Sequence, residues 1–291
     1  MSKRLGIDIG GTYIKYAIVD GDDRLIETRQ IKTEGSGEAF LAFLKREIKQ
    51  ILRVENGIER IGIGIPGTVD PITGKIIDSP ALTLHQVQFV DELKQEFSQE
   101  ICLENDVNAW TMAEKAMGAA SDRDTFVMIT IGTGIGAGIY YKGEIIRGMD
   151  NEAGEIGYFP IGLDAYHAGI SNFEFGHFEQ LASASGVSRR FQEKFGEETS
   201  THKIFERAKQ GDPNALDTVN ETMDYLALGI SNIVCLLQPE LIVLGGGMAN
   251  TGDWLIDAIS ERVEKLIPMR FELALSTVGK WGGAVGAAFI R

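Results

Sequence analysis

Two short turns of glycine and threonine, more than a hundred residues apart, constrain this chain most. Leu5-Gly6-Ile7-Asp8-Ile9-Gly10-Gly11-Thr12 runs into the alternating stretch Tyr13 to Val19, and Val127-Met128-Ile129-Thr130-Ile131-Gly132-Thr133-Gly134 runs into Ile135 to Tyr141. Each reads as strand, tight turn, strand. Nothing at such a turn covers the backbone N–H groups, so they and the threonine hydroxyls can face an anion. Either turn alone passes for an ordinary hairpin. The pair, with Asp8 beside the first, predicts a clamp on a polyphosphate and hence a nucleotide site.

Other nucleotide architectures are excluded. The chain has no G-x-x-x-x-G-K-[ST] loop, and Gly132-Thr133-Gly134-Ile135-Gly136 continues as a strand where a dinucleotide fingerprint needs a helix. The formal charge of −14 disfavours nucleic acid and anionic membrane as partners. No stretch approaches the ~20 apolar residues of a membrane span, and Lys3 and Arg4 are not followed by a signal-peptide core. Cys102 and Cys235 lie in apolar runs and read as buried thiols in a reducing, cytoplasmic compartment.

Periodicity predicts strands at 4–9, 13–20 and 24–32, a helix at 38–53, a strand at 60–65 and a loop-rich stretch over 66–88. A helix near 89–98, a strand at 101–104 and a helix at 106–119 follow. At 125–131 and 135–142 the opening hairpin pattern restarts, which predicts an internal repeat and two similar domains. The remainder reads as helices over 174–195, 201–210 and 212–237, a strand at 240–244, a helix at 252–267, a strand near 272–276 and a last helix at 282–290. The whole is a mixed α/β chain.

Asp8-Ile9-Gly10-Gly11-Thr12 with Lys15, Asn105-Asp106, Gly132-Thr133-Gly134, Gly154-Glu155-Ile156-Gly157 and Gly245-Gly246-Gly247 follow one another in an order similar to that of the ROK family. That family comprises repressors and sugar kinases of the actin-like, hexokinase-like ATPase superfamily, and the resemblance runs from residue 5 nearly to the C-terminus. It implies a two-domain α/β fold of ribonuclease H-like type with an interdomain cleft. The expected domains are 1–119 plus 277–291, with the last helix packed back on the first domain, and 120–276. ATP, Mg²⁺ and a small sugar are the implied ligands, and a homodimer is the expected assembly.

Asp8 at a phosphate turn would repel ATP unless it faced Mg²⁺ through water, the role the resemblance implies; the alternative is an Asx turn cap. Gly10, Gly11, Thr12, Lys15, Gly132, Thr133 and Gly134 are the expected phosphate contacts, although Lys15 could simply be solvated. Gly245, Gly246 and Gly247 follow an apolar strand, and small residues there would let the adenosine ring approach the backbone. Asn105 and Asp106 begin a helix and suit N-caps. The resemblance makes Asp106 the base toward the sugar hydroxyl and has Asn105 position a neighbouring hydroxyl. It also assigns Glu155, Glu179, Gly67 and Thr68 to the sugar pocket, with Glu152 as a shifted alternative to Glu155.

One departure from the family pattern stands out. Zinc-bearing members have a His where this chain has Tyr158, and a cysteine-rich run before the position of Glu179. Here Tyr166 to Phe178 contains no Cys, and His167 and His177 alone fall short of a structural zinc site. No zinc is expected, and Phe159, Phe173, Phe175 and Phe178 are candidates to hold the Glu179 segment by packing. A ring at Tyr158 could stack on a second sugar or an aglycone. The expected activity is phosphorylation of the 6-hydroxyl of glucose or a β-glucoside. Alternatives are a fructokinase, an N-acetylhexosamine kinase, a sugar-sensing repressor and a chaperone-type ATPase. The acidic charge and the four residues before Leu5 tell against a winged-helix repressor.

Overall fold

Strand β1 (Lys3–Ile9) buries Leu5, Ile7 and Ile9 and turns at Gly10 into β2 (Tyr13–Asp20). Strand β3 (Leu25–Lys32), helix α1 (Gly37–Val54) and strand β4 (Ile58–Ile65) follow. Helix α1 is amphipathic: Phe40, Phe43, Leu44, Ile48 and Ile51 fall on one face and join the core of Leu5, Ile7, Ile61 and Ile63. Each such side chain contributes roughly 1.5–3 kcal/mol by leaving water. The stretch expected to be loops instead contains a small antiparallel sheet of β5 (Thr68–Asp70), β6 (Lys75–Ser79) and β7 (Leu84–Val87). Its strands are short and cut by turns, so no alternating pattern of useful length exists to read. Helix α2 (Phe89–Lys94), strand β8 (Glu100–Asn105) and helix α3 (Asp106–Met117) complete this part.

The pattern then repeats. After β9 (Thr125–Ile131), β10 (Ile135–Tyr141) and β11 (Glu144–Ile146) come helices α4 (Leu163–Ala168), α5 (His177–Ala182), α6 (Ala184–Phe195), α7 (Thr201–Lys209) and α8 (Pro213–Leu237). Strand β12 (Leu241–Gly245), helix α9 (Asp253–Leu266), strand β13 (Leu273–Leu275) and helix α10 (Gly282–Ala287) end the chain. The single helix expected over 174–195 is two, because Ser183 breaks it and caps α6 by accepting from Gly186 N.

This computed structural model describes residues 2–168 and 176–291. It divides into two units: the chain up to Asp122 with Ile145–Ala153 and Thr277–Arg291, and Arg123–Glu144 with Gly154–Ser276. The first sheet has the order β3-β2-β1-β4-β8 and the second β11-β10-β9-β12-β13. Both place an antiparallel hairpin beside two parallel strands, β1/β4/β8 in one and β9/β12/β13 in the other. The repeat expected from the second hairpin pattern is therefore present in the sheets. Among the described residues no helix is long and apolar enough to cross a membrane.

Helix α10 packs on the first sheet with almost no side chain between. A Cβ on Gly6 of β1 would overlap the Ala284 carbonyl, one on Gly62 of β4 the Ala287 carbonyl, and one on Gly286 of α10 the Ala109 carbonyl of α3. Backbones in such contact cannot absorb a methyl, and overpacking costs ~1–3 kcal/mol. Gly62→Ala is therefore expected to lose at least that much in urea unfolding. Gly21→Ala, at an open turn whose nearest neighbour is Ser2 O at 3.5 Å, should stay within about 0.5 kcal/mol of the parent. Equal stability of the two variants would refute the packing argument.

Candidate functional site

In the first unit, the β1–β2 register places Lys15 opposite Asp8, and Lys15 Nζ lies 3.2 Å from Asp8 Oδ2. Lys15 is thus not simply solvated: it pairs with Asp8. Helix α10 closes the other side, where a Cβ on Gly283 would sit 2.6 Å from Asp8 Cγ. That burial pushes the Asp8 carboxyl above the usual aspartate range, and Lys15 offsets the shift only in part. The adjoining turn is closed by Gly10 N donating to Tyr13 O (2.9 Å) and Thr33 Oγ1 donating to Gly10 O (2.7 Å), leaving Gly11 and Thr12 exposed.

The parallel register of β1, β4 and β8 sets Asp8, Gly64 and Glu104 on one line across the sheet. At ~4.8 Å per strand, Asp8 and Glu104 are about 10 Å apart along the backbone ladder. Asn105 is the N-cap of α3: its Oδ1 accepts from Val107 N at 2.9 Å and Asn108 N at 3.1 Å, and its Nδ2 donates to Gly67 O at 3.1 Å. Gly67 has φ of +108°, a conformation open to glycine, and a Cβ there would overlap Asp78 O. Thr68 follows at the start of β5 and is half-buried. Asp106 is the first residue of the helix, half-buried, and its Oδ1 accepts from Val107 N at 3.0 Å.

Three residues here escaped sequence reasoning. Glu104 is buried, its side chain 3% exposed, and Arg147 donates to its Oε2 from Nε (2.9 Å) and Nη2 (2.7 Å). Its Oε1 accepts from Asn105 N at 3.0 Å and Asn108 Nδ2 at 3.1 Å. The only hint was a Glu at the inward end of a strand, directly before Asn105-Asp106.

The second unit gathers its own set. Gly132 N donates to Gly134 O at 2.9 Å, and Ile135 N donates to Glu179 Oε2 at 2.8 Å. A Cβ on Gly134 would overlap that carboxylate oxygen, so a larger residue here would displace the Glu179 side chain. Ala184 N at the start of α6 donates to Gly132 O at 2.9 Å. Gly246, with φ of +86°, comes so close to the end of β9 that a Cβ would lie 2.5 Å from Ile131 O. Gly132–Gly134, Gly245–Gly247 and Glu179 are thereby brought together. Beside them is a cavity of about 280 Å³ lined by Ala184, Thr201, Phe205, Gly247, Met248 and Asn250 among others. Burial raises the Glu179 carboxyl above its ordinary value, opposed by the Ile135 N–H.

Helix α5, which carries Glu179, is fixed by packing. The Phe159 and Phe178 rings stack at 6.3 Å, and Phe178 fills the space over Gly229 of α8. His177 Nδ1 accepts from Ile161 N at 3.1 Å, so its proton is on Nε2. Gly176 meets the Gly157 backbone without room for a Cβ. Phe173 and Phe175 lie outside the described residues. Glu155 is exposed and Tyr158 is 57% exposed at the end of a short 3₁₀ turn. His167 is exposed. The expectation of two buried thiols is corrected: Cys102 is half-buried and Cys235 exposed, because the outer face of α8 continues the apolar run.

A model of the ROK family matches residues 4–291. The chain belongs to the ROK family. It is 30% identical to a glucokinase of Thermotoga maritima, over 99% of this chain and 96% of that one. An N-acetyl-D-glucosamine kinase of Aliivibrio fischeri is 25% identical over 98% of both. The crystal structure of a ROK glucokinase from Streptomyces griseus, in complex with glucose and AMPPNP, is similar with a TM-score of 0.84, 25% identity, and coverage of 99% and 98%.

The donor set of this ROK protein suits Mg²⁺ held mostly by phosphate and water. Among the described residues no group of three or more His, Cys, Asp or Glu side chains converges on a metal position. Asp8 offers one carboxylate whose charge Lys15 only partly offsets. A carboxyl with a raised pKa takes up its proton more readily folded than unfolded. Its ionisation therefore costs stability as pH rises from the ordinary Asp range through the raised value, and above that value the cost is complete. Asp8→Asn removes it. The melting temperature at pH 7 is expected to hold or rise, with the advantage fading as pH falls from the raised value toward the ordinary Asp range. A several-degree drop at pH 7 would show that the Lys15 pairing outweighs the burial.

Proposed function

We propose that this chain, an ATP-dependent carbohydrate kinase, phosphorylates the 6-hydroxyl of glucose or of a β-glucoside. The observation that supports this most is the division of labour at the end of β8. Asn105 caps α3 and reaches Gly67, and Asp106 follows it as the first residue of the helix, its carboxylate set beside the cap by the same turn. In this reading Asp106 takes the proton from the sugar 6-oxygen as that oxygen bonds to the γ-phosphorus and the bond from phosphorus to the β,γ-bridging oxygen breaks, releasing ADP. Phosphoryl transfer demands mainly positioning and charge neutralisation, which one carboxylate and fixed donors supply.

Gly10, Gly11 and Thr12 in the first unit and Gly132, Thr133 and Gly134 in the second are assigned to phosphates. The pocket beside Gly245–Gly247, with Phe205 and Met248 in its wall, is assigned to the adenosine. When Mg²⁺ is bound, Asp8 would hold it through water, and the ion supplies neutralisation of the phosphate charge. Lys15, now on Asp8, is assigned to pair with phosphate. Asn105, Glu155 and Glu179 are assigned to sugar hydroxyls, with Gly67 and Thr68 in the pocket wall. Glu179 must be ionised to accept them, and burial raises its pKa. Sugar affinity should therefore weaken as pH falls through that raised value. Domain boundaries of 1–119 plus 277–291 and 120–276, a homodimer and a cytoplasmic location complete the reading.

The exposed Tyr158 ring replaces a His that would hydrogen-bond near the anomeric hydroxyl, and its apolar face tolerates a substituent on O1. A coupled ADP-release assay over glucose, cellobiose, an aryl β-glucoside, fructose and N-acetylglucosamine tests this. The glucosides are expected to match or exceed glucose in kcat/KM. Tyr158→Ala should cost the glucoside roughly 1 kcal/mol more than glucose. Robust glucose turnover with no glucoside turnover would return the enzyme to a plain glucokinase. Asp106→Asn is expected to lower kcat at least ~100-fold with the melting temperature little changed. Turnover within a few-fold of the parent would place the base elsewhere.

A further inference from the structure

We infer that the pair of buried Glu104 and half-buried Arg147 is a positioning device, acting on phosphoryl transfer through Asn105 and Asp106. The inference rests on the kinase reading and adds to it residues that its motifs do not contain.

A carboxylate as buried as Glu104 is tolerated only when its charge is compensated and its lone pairs are used. Both conditions are met, and every donor is informative. Two N–H groups come from one guanidinium, so Arg147 approaches Oε2 in a fixed plane. The other two come from the Asn105 backbone and from Asn108 on the first turn of α3. Glu104 thus holds the backbone just before Asp106 and the helical turn just after it. Asn105, held at its N–H, uses its own side chain to cap the helix and to reach Gly67. The Asp106 carboxylate stands on a backbone fixed on both sides.

Arg147 comes from an unusual stretch. Ile145–Ala153 belongs with the first unit, although the chain before and after it belongs with the second. Ala153 N donates to Arg147 O at 2.9 Å, closing the segment into a loop that contains Gly148 at φ +77° and Asn151 at φ +61°. Two residues beyond that closure is Glu155, assigned above to the sugar. The ion pair therefore ties to the end of β8, directly before Asp106, the loop from which the chain runs into Glu155. Apolar residues could replace a merely structural pair at little loss of stability.

The test compares Arg147→Met, Arg147→Lys and Glu104→Gln with the parent by steady-state kinetics, together with circular dichroism melts. Glu104→Gln keeps an acceptor and the shape, and its bereft Arg147, 35% exposed, can be solvated, so this variant should fold. Misplacement of a reacting group by about 1 Å can cost ~100-fold. Arg147→Met and Glu104→Gln are expected to lose ~10–100-fold in kcat and to raise the sugar KM, with the KM for ATP within about twofold of the parent. Arg147→Lys, which restores charge without the two-pronged geometry, should recover only part of the loss. Variants that melt earlier yet keep kcat and the sugar KM per folded molecule would overturn the inference and leave the kinase reading intact. So would a loss confined to the KM for ATP. A parent that phosphorylates no sugar would overturn both.

Discussion

Everything in the first unit depends on how closely α10 approaches the sheet. Gly6 and Gly62 present bare backbone to Ala284 and Ala287, and Gly286 does the same to α3 at Ala109. Helix and sheet are then separated by backbone atoms alone, so small shifts are opposed by steep repulsion rather than by soft side chains. The same approach brings Gly283 against Asp8, and the loss of water there raises the carboxyl pKa. One packing decision thus joins the end of the chain to its beginning and sets the electrostatics of the residue assigned to the metal. The feature is energetically stiff because it is sterically, not electrostatically, enforced.

Glu104, which is buried, and Asp8 and Glu179, which are half-buried, meet the cost of leaving water in three ways. Glu104 is saturated, with a guanidinium and two further donors, and has no lone pair to offer a ligand. Asp8 has a single lysine, and Glu179 a single backbone N–H on one oxygen. Burial raises the pKa of both Asp8 and Glu179, which means their ionised forms are under-compensated. Incomplete compensation is a stability cost that a ligand can repay, in the proposed reading a cation near Asp8 and sugar hydroxyls at Glu179. Saturation at Glu104 suits a residue that must stay still.

Most of the architecture was legible because it rests on period and punctuation. The hairpins at Gly10 and Gly132, the α1 face of Phe40, Phe43, Leu44 and Ile48, and the apolar β12 all announce themselves locally. What stayed hidden is set by tertiary placement. The strands at 68–87 are too short for periodicity, and Ser183 divides a pattern that reads as one helix. At the candidate site the glycine turns and Asn105-Asp106 were visible as motifs. The salt bridge of Glu104 with Arg147, 43 residues away, was not, since no local rule pairs residues so distant in the chain. The pairing of Lys15 with Asp8 follows from the hairpin register, which was legible; the degree of burial that makes it matter was not.

The Glu179 segment shows how a short helix can be held in place by packing. A tetrahedral metal fixes its ligands by strong, directional bonds at a few points. Here α5 is held by many weaker contacts: the Phe159–Phe178 stack, Phe178 seated on Gly229, the backbone approach of Gly176 to Gly157, and the His177 imidazole accepting from Ile161. These contacts converge from three directions, α8, the segment around Ile156–Tyr158 and the 161 backbone, so the helix is located although no single contact is strong. Glu179 and Ala184 then grip the Gly132–Ile135 turn from the same side. A displacement of α5 must therefore move the turn as well, and the residue assigned to the sugar is mechanically continuous with the turn assigned to phosphate. That continuity lies wholly inside the second unit and requires no metal.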